Sequence, residues 1–503
     1  MIEVLESRIN PSPFVGITLS GGNLTVEGGS TGENVTVSET SPGVLHFDGN
    51  GVTLFSTGPN STNVPSLDVA VTGSVTIELG NVGNNIFTFT GADIPKNLVI
   101  TEVGSGSINK IHLDTATVGG SVTLNLGGSS NMITGTGNAL QIGGNLSLTL
   151  GGGTNSVALS ETQIAIGGGF SYKGNAGSDT VSLTSVALTI EKNVSLLPGD
   201  GQATIALAPT GGLFVGGNVV AKTGDPASSP NQVTVGSSGA LINIAKGVVY
   251  NGGPGADTLN VLDASAQISG EVRMSGNVGN KTLFISNQVG SIRGGITNTG
   301  GTGDAVLVLV GSASISGSVV EKGGTGGLFF SVIGSMHISG SLTATGAATA
   351  PTAGVSFTVD GLTSGMTVGG SITAKVTGYT GLSASYGVEG VKSAAALSLT
   401  TGAGNDTLSL DDLQIIGATN INTGAGMDAL KVESSSNIGH SIFHGAFTAR
   451  LGDGNDGATI GSSGTSDQAT FGGAFLMDGG TGVNTLGVNG GTVFAKSHKT
   501  VNF

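Results

Sequence analysis

The sequence predicts an all-β fold: a single-chain parallel β-helix (β-solenoid) of about 19 coils, ~24 residues each, with two to three short strands per coil. Three observations predict it. A glycine-centred phrase returns every 22–25 residues through most of the chain. Between returns the residues alternate apolar and polar with period two. Glycine supplies 92 of the 503 residues, too many for helices of ordinary length.

The returning phrase is a β-branched residue, usually Gly, then Gly, then Asn or Ser, then an alternating apolar stretch. Val118-Gly-Gly-Ser-Val-Thr-Leu124, Ile142-Gly-Gly-Asn-Leu-Ser-Leu148, Ile166-Gly-Gly-Gly-Phe-Ser-Tyr172 and Ile338-Ser-Gly-Ser-Leu342 carry it. Its marks run from residue 72 to residue 472 with a mean interval of 25, and the intervals of 29, 30 and 33 read as loop insertions. A second phrase lies between the marks: a Gly-rich turn, often Asp or Asn, then Thr-Leu or Thr-Val, as in Gly177-Ser-Asp-Thr-Val-Ser-Leu183. Each phrase opens a strand, and a third strand runs through stretches such as Val186-Ala-Leu-Thr-Ile190.

Strands this short cannot bury a face alone, but coils stacked on one another can. Inward Val, Ile, Leu and Phe then form the core, Ser, Thr and Asn face outward, and glycine takes the corners through its access to positive φ. Phe87, Phe89, Phe329 and Phe330 are assigned to core stacking. Antiparallel sandwich strands would be longer and would not hold one phase so far. No composition break divides the chain. Residues 1–16 read as a leader or cap and 17–503 as one continuous β-solenoid, with a loop excursion near 223–238 around Pro226 and Pro230.

Composition excludes several classes. There is no Cys, hence no disulfide scaffold or thiolate zinc site. Seventeen basic against 32 acidic residues give a net charge of −15, and no basic cluster offers phosphate contacts, so no nucleic-acid partner is expected. No apolar run approaches the ~18–20 residues of a transmembrane helix. The first twenty residues lack the basic and apolar regions of a signal peptide.

Two resemblances follow. Val4-Leu-Glu-Ser-Arg-Ile-Asn-Pro-Ser12 resembles the Leu-Glu-x-Arg-x-x-Pro-Ser leader of planctomycete surface and exported proteins, which implies an extracellular or cell-surface location. Gly252-Gly-Pro-Gly-Ala-Asp257-Thr-Leu259 is similar to the Gly-Gly-x-Gly-x-Asp-x-Leu nonapeptides of RTX proteins. The turns ending in Asp406, Asp428 and Asp456 match in part. That resemblance implies Ca²⁺ at Asp257, Asp406, Asp428 and Asp456. RTX motifs, however, follow one another every nine residues and these recur about every 24. In stacked coils Asp406, Asp428 and Asp456 form a ladder ~5 Å apart, where each pair repels by roughly 0.8 kcal/mol in water. A hard cation would relieve this. So would solvation, an offset, or a turn Asp bonded to its own backbone.

Candidate catalytic groups show little convergence. Asp411 and Asp412 are adjacent on a strand and should point to opposite faces. Asp263 shares Asp412's offset from the turn Asp. His440 and His444 share a strand face without an identifiable third ligand. Arg273 and Arg293 occupy different repeat positions. The sequence therefore predicts a non-enzymatic structural β-solenoid at the cell surface, a rigid rod for coat, adhesion or fibre assembly that needs no cofactor. End-to-end self-association or contact with other surface proteins is expected, since Lys496 and Lys499 block the last coil weakly. The alternative is a β-helix polysaccharide lyase or hydrolase with a polysaccharide ligand.

Overall fold

The computed structural model describes residues 14–503 apart from 30, 58–61, 81, 103, 105, 129, 225–229, 264, 348–353, 362–364, 378–382, 436–438 and 463–466. The leader motif at 4–12 and Pro226 lie outside the described residues. Strands stack as parallel coils of about 24 residues, about 16 turns in all, and no helix occurs among the described residues. The chain falls into two units, Met1–Gly224 and Asp225–Phe503.

In the first unit a typical coil runs through three strands, Thr154–Leu159, Gln163–Ile166 and Phe170–Lys173. Each lies on its own face and pairs in parallel with its equivalent 24 residues on. Val157 sits against Val181, Ile166 against Ile190, and Leu148 against Tyr172. Inward positions recur as buried columns. Leu124, Leu148, Val157, Ile166 and Val181 are all at most 1% exposed. Each such side chain contributes roughly 1.5–3 kcal/mol on burial. The second unit repeats the plan with Asp257–Asp263, Ser265–Ile268 and Val272–Ser275, where Leu259 pairs with Leu283 and Ile268 with Ile292.

The described strands before residue 70 depart from the expected coils, and the turns number about 16 where about 19 are expected. Phe14–Ser20 pairs antiparallel with Asn23–Glu27, and Val44–Asp48 pairs antiparallel with both Asn34–Ser41 and Ser66–Ala70. The cause is local. Gly21 and Gly22 both take positive φ (56° and 81°), the two-residue turn whose twist closes a hairpin.

The corners explain the returning phrases. A Cβ on Gly143 would stand 2.2 Å from the Gly119 carbonyl oxygen of the coil before, and one on Gly167 would stand 2.5 Å from that of Gly143. Neither has positive φ. Glycine is needed there for close stacking, not for the left-handed conformation expected. The left-handed glycines stand at the other corner, as at Gly424 and Gly452 (φ 91° and 97°). The Asn or Ser that follows the glycines ties coil to coil. Asn145 Oδ1 accepts the Gly169 N–H at 2.8 Å, and Ser318 Oγ accepts the Ser341 N–H at 3.0 Å. Strand alternation also divides Phe329 from Phe330. Phe330 is buried and stacks on Phe357 at 5.0 Å, whereas Phe329 turns to the outer side and covers Gly354.

Candidate functional site

The position that opens the strand after the Gly-rich turn points inward, and polar residues there form columns buried inside the coils. In the first unit the column is an amide ladder. Asn85 Nδ2 donates to Asn109 Oδ1 at 2.9 Å, Asn109 to Asn131 at 2.8 Å, Asn131 to Asn155 at 2.9 Å, and Asn155 to Asp179 at 2.8 Å. All five are at most 2% exposed. The next coil places Ala203 in the column, so the side-chain run ends at Asp179, which accepts from Asn155. Burial pushes its carboxyl up to about 6, against the lowering influence of hydrogen bonds with Asn155 and Tyr172. The signal in the sequence is asparagine returning at residues 85, 109, 131 and 155.

In the second unit a column of its own opens with Asn231, Asp257 and Lys281, in register on successive coils. Asp257 Oδ1 accepts from Asn231 Nδ2 and from the Tyr250 hydroxyl, each at 2.9 Å. The Lys281 ammonium lies 2.9 Å from Oδ2, and both side chains are fully buried. Lys281 Nζ also donates to the carbonyls of Gly255 and Val278. Ala305, Leu328, Val355 and Ala384 follow in the column, so Asp257 is separated from the other three aspartates.

Asp406, Asp428 and Asp456 do stack on successive coils, as the spacing predicts, and all three are buried. Their partners are not their own backbone. Asp406 Oδ1 accepts the Ala384 N–H, Asp428 Oδ1 the Asp406 N–H, and Asp456 Oδ1 the Asp428 N–H, at 2.7–2.8 Å. Asn484 Oδ1 takes the Asp456 N–H in the same way. The carboxylate of one coil therefore holds the backbone of the coil before it. Burial raises all three carboxyls, Asp428 to about 6, where its charged neighbours Asp406 and Asp456 add to the effect.

A second acidic group, which alternation alone did not reveal, lies at the strand end on the opposite side of the same face. Asp360, Glu389 and Asp411 stand in register on three coils. Glu433 follows Val432, the partner of Leu410, and so continues this column. Carboxylate oxygens of Glu389, Asp411 and Asp412 lie within 4.8 Å of one another. The expectation that Asp411 and Asp412 diverge fails because the strand ends at Asp411 and Asp412 takes φ 54°, which swings its side chain back. Glu433 is fully buried; its Oε2 accepts the Asp412 N–H at 3.1 Å and the Ser441 hydroxyl, while Oε1 has no hydrogen-bond partner. Burial first, then the charges of Asp411 and Asp412, push Glu433 up to about 7. Glu389 is also raised, by burial and by Asp360, Asp411 and Asp412.

Other candidates stay apart. Asp263 is buried in register with Asn287 and raised to about 7 by burial. The strand that begins at His440 ends at Phe443, before His444, and His440 Nδ1 accepts the Gln468 N–H at 3.2 Å. Arg273 lies 3.6 Å from Glu271 in an exposed pair. No protein-family model, no curated protein and no solved structure matches the chain.

Proposed function

We propose that this chain is a non-enzymatic structural β-solenoid of the cell surface or extracellular space, a stiff element for coat, adhesion or fibre assembly. The observation that carries the reading is where the polar side chains spend their hydrogen bonds. Asn85 to Asp179, Asp257 with Lys281, and Asp406 to Asn484 all join one coil to the next inside the stack. Ser and Asn at the outer corners do the same from outside. Such inter-coil bonding stiffens a repeat whose units otherwise hold only through nearest-neighbour contacts. The resemblance of the leader to those of exported surface proteins supports the location.

Electron microscopy of purified full-length protein and of the native cell surface tests the reading. Fibres, sheets or a regular coat are expected. A strictly monomeric protein that releases reducing ends or unsaturated uronates from a panel of polysaccharides would replace it with the enzymatic alternative.

A further inference from the structure

We propose that the acidic strand end formed by Glu389, Asp411 and Asp412 in the second unit, with the buried Glu433 beside it, binds one hard divalent cation of the Ca²⁺ type. This site is separate from the inner aspartate ladder. It lies at the other end of the same strands and draws on different side chains.

Four features point to a cation. The donor set is all oxygen, as Ca²⁺ prefers. Oxygens from Glu389, Asp411 and Asp412 fall within 4.8 Å of one another, and two ligands on opposite sides of a Ca²⁺ ion at ~2.4 Å each span about that distance. The carboxylates come from neighbouring coils held in register by the strand ladder, so the cluster is set by backbone pairing and not by chance approach of long side chains. The independent observation is Glu433. It is wholly buried beside Asp411 and Asp412, its Oε2 is fixed by the Asp412 amide and Ser441, and its Oε1 is left without a hydrogen-bond partner. A buried carboxylate oxygen costs free energy unless something polar faces it. A divalent ion held by Glu389, Asp411 and Asp412 beside it would offset the repulsion among these carboxylates and lower the cost of keeping Glu433 charged there. Asp360, one coil earlier in the column, adds negative charge on the approach. Ca²⁺ is favoured over Mg²⁺ because carboxylates borne on fixed strand ends suit a loose shell better than a strict octahedron.

Calorimetric titration of the chelator-stripped full chain with CaCl₂ tests this, beside Asp412→Asn and Glu389→Gln, which are less buried than Asp411 and Glu433 and so should leave the fold intact. Asp428→Asn in the inner ladder is the control. Saturable binding is expected in the unaltered protein. Each of the first two substitutions should weaken it by at least the roughly 10–100-fold that even outer-shell changes cost, and Asp428→Asn should leave it unchanged. The melting temperature of the unaltered chain should rise with Ca²⁺ over chelator, and by much less with Mg²⁺. Three results would overturn the proposal: no saturable heat and no thermal shift, undiminished binding in Asp412→Asn, or loss in Asp428→Asn alone, which would place the ion at the inner ladder.

Discussion

The amide run from Asn85 to Asn155 and the carboxylate run from Asp406 to Asp456 occupy the equivalent inward position of their coils, and they solve its burial differently. An asparagine carries donor and acceptor, so each can take from one neighbour and give to the next, and the ladder is built from side chains alone. An ionised aspartate only accepts. Stacked aspartates therefore cannot bond to one another and turn instead to the backbone N–H of the preceding coil. The amide ladder is closed by an acceptor, Asp179, and the carboxylate run by an amide, Asn484. Between these extremes stands Asp257, which meets an amide on one side and an ammonium on the other. The repeat fixes where the polar group goes; its donor count decides what the neighbouring coil must supply.

The largest break in this scheme is at Lys281. Lys281→Met leaves the Asp257 carboxylate buried beside an apolar chain and should cost about 3–5 kcal/mol in denaturant unfolding. Combining it with Asp257→Asn should recover most of that loss, because the column then holds a neutral amide as in the first unit. Recovery of less than half would mean that the Lys281 bonds to Gly255 and Val278 dominate. A smaller break is Asn131→Asp, which sets an acceptor against Asn155 Oδ1 where a donor stood. The expected loss is about 2–3 kcal/mol at neutral pH, less under acid conditions that protonate the new carboxyl. An unchanged unfolding midpoint would show that the amide ladder adds nothing.

Much of this fold was legible from sequence. The spacing of Ile142, Ile166 and Ile190 fixes the coil length, and the alternation from Val157 to Leu159 fixes which side faces in. Stacking of Asp406, Asp428 and Asp456 followed from the same arithmetic. What the spacing could not show is what each carboxylate bonds, because that depends on the coil before it and not on neighbours in the chain. Nor could it show the meeting of Asp411 and Asp412, since alternation describes a strand and stops where Asp412 turns left-handed. The hairpins before residue 70 escaped for the opposite reason. Gly21-Gly22 resembles the stacking corners in composition, and only its two positive φ angles make it reverse the chain.

The smallest expected effect is at Asp428, in the carboxylate run. Asp428→Asn keeps Oδ1 for the Asp406 N–H and removes a group whose folded carboxyl titrates near 6 in place of the usual 3.8. A raised carboxyl binds its proton more tightly folded than unfolded. It therefore adds stability below about pH 4, and that contribution is lost as pH rises through about 6. Asp406 and Asp456, raised for the same reason, act with the same sign. The unaltered chain should thus lose stability between about pH 4 and pH 7, and Asp428→Asn should flatten that slope by on the order of 1 kcal/mol while changing little at the acid end. The measurement is the urea midpoint across that range for both proteins. Parallel profiles would mean that Asp428 stays ionised in the fold, and that the carboxylate run differs from the amide ladder only in where its hydrogen bonds go.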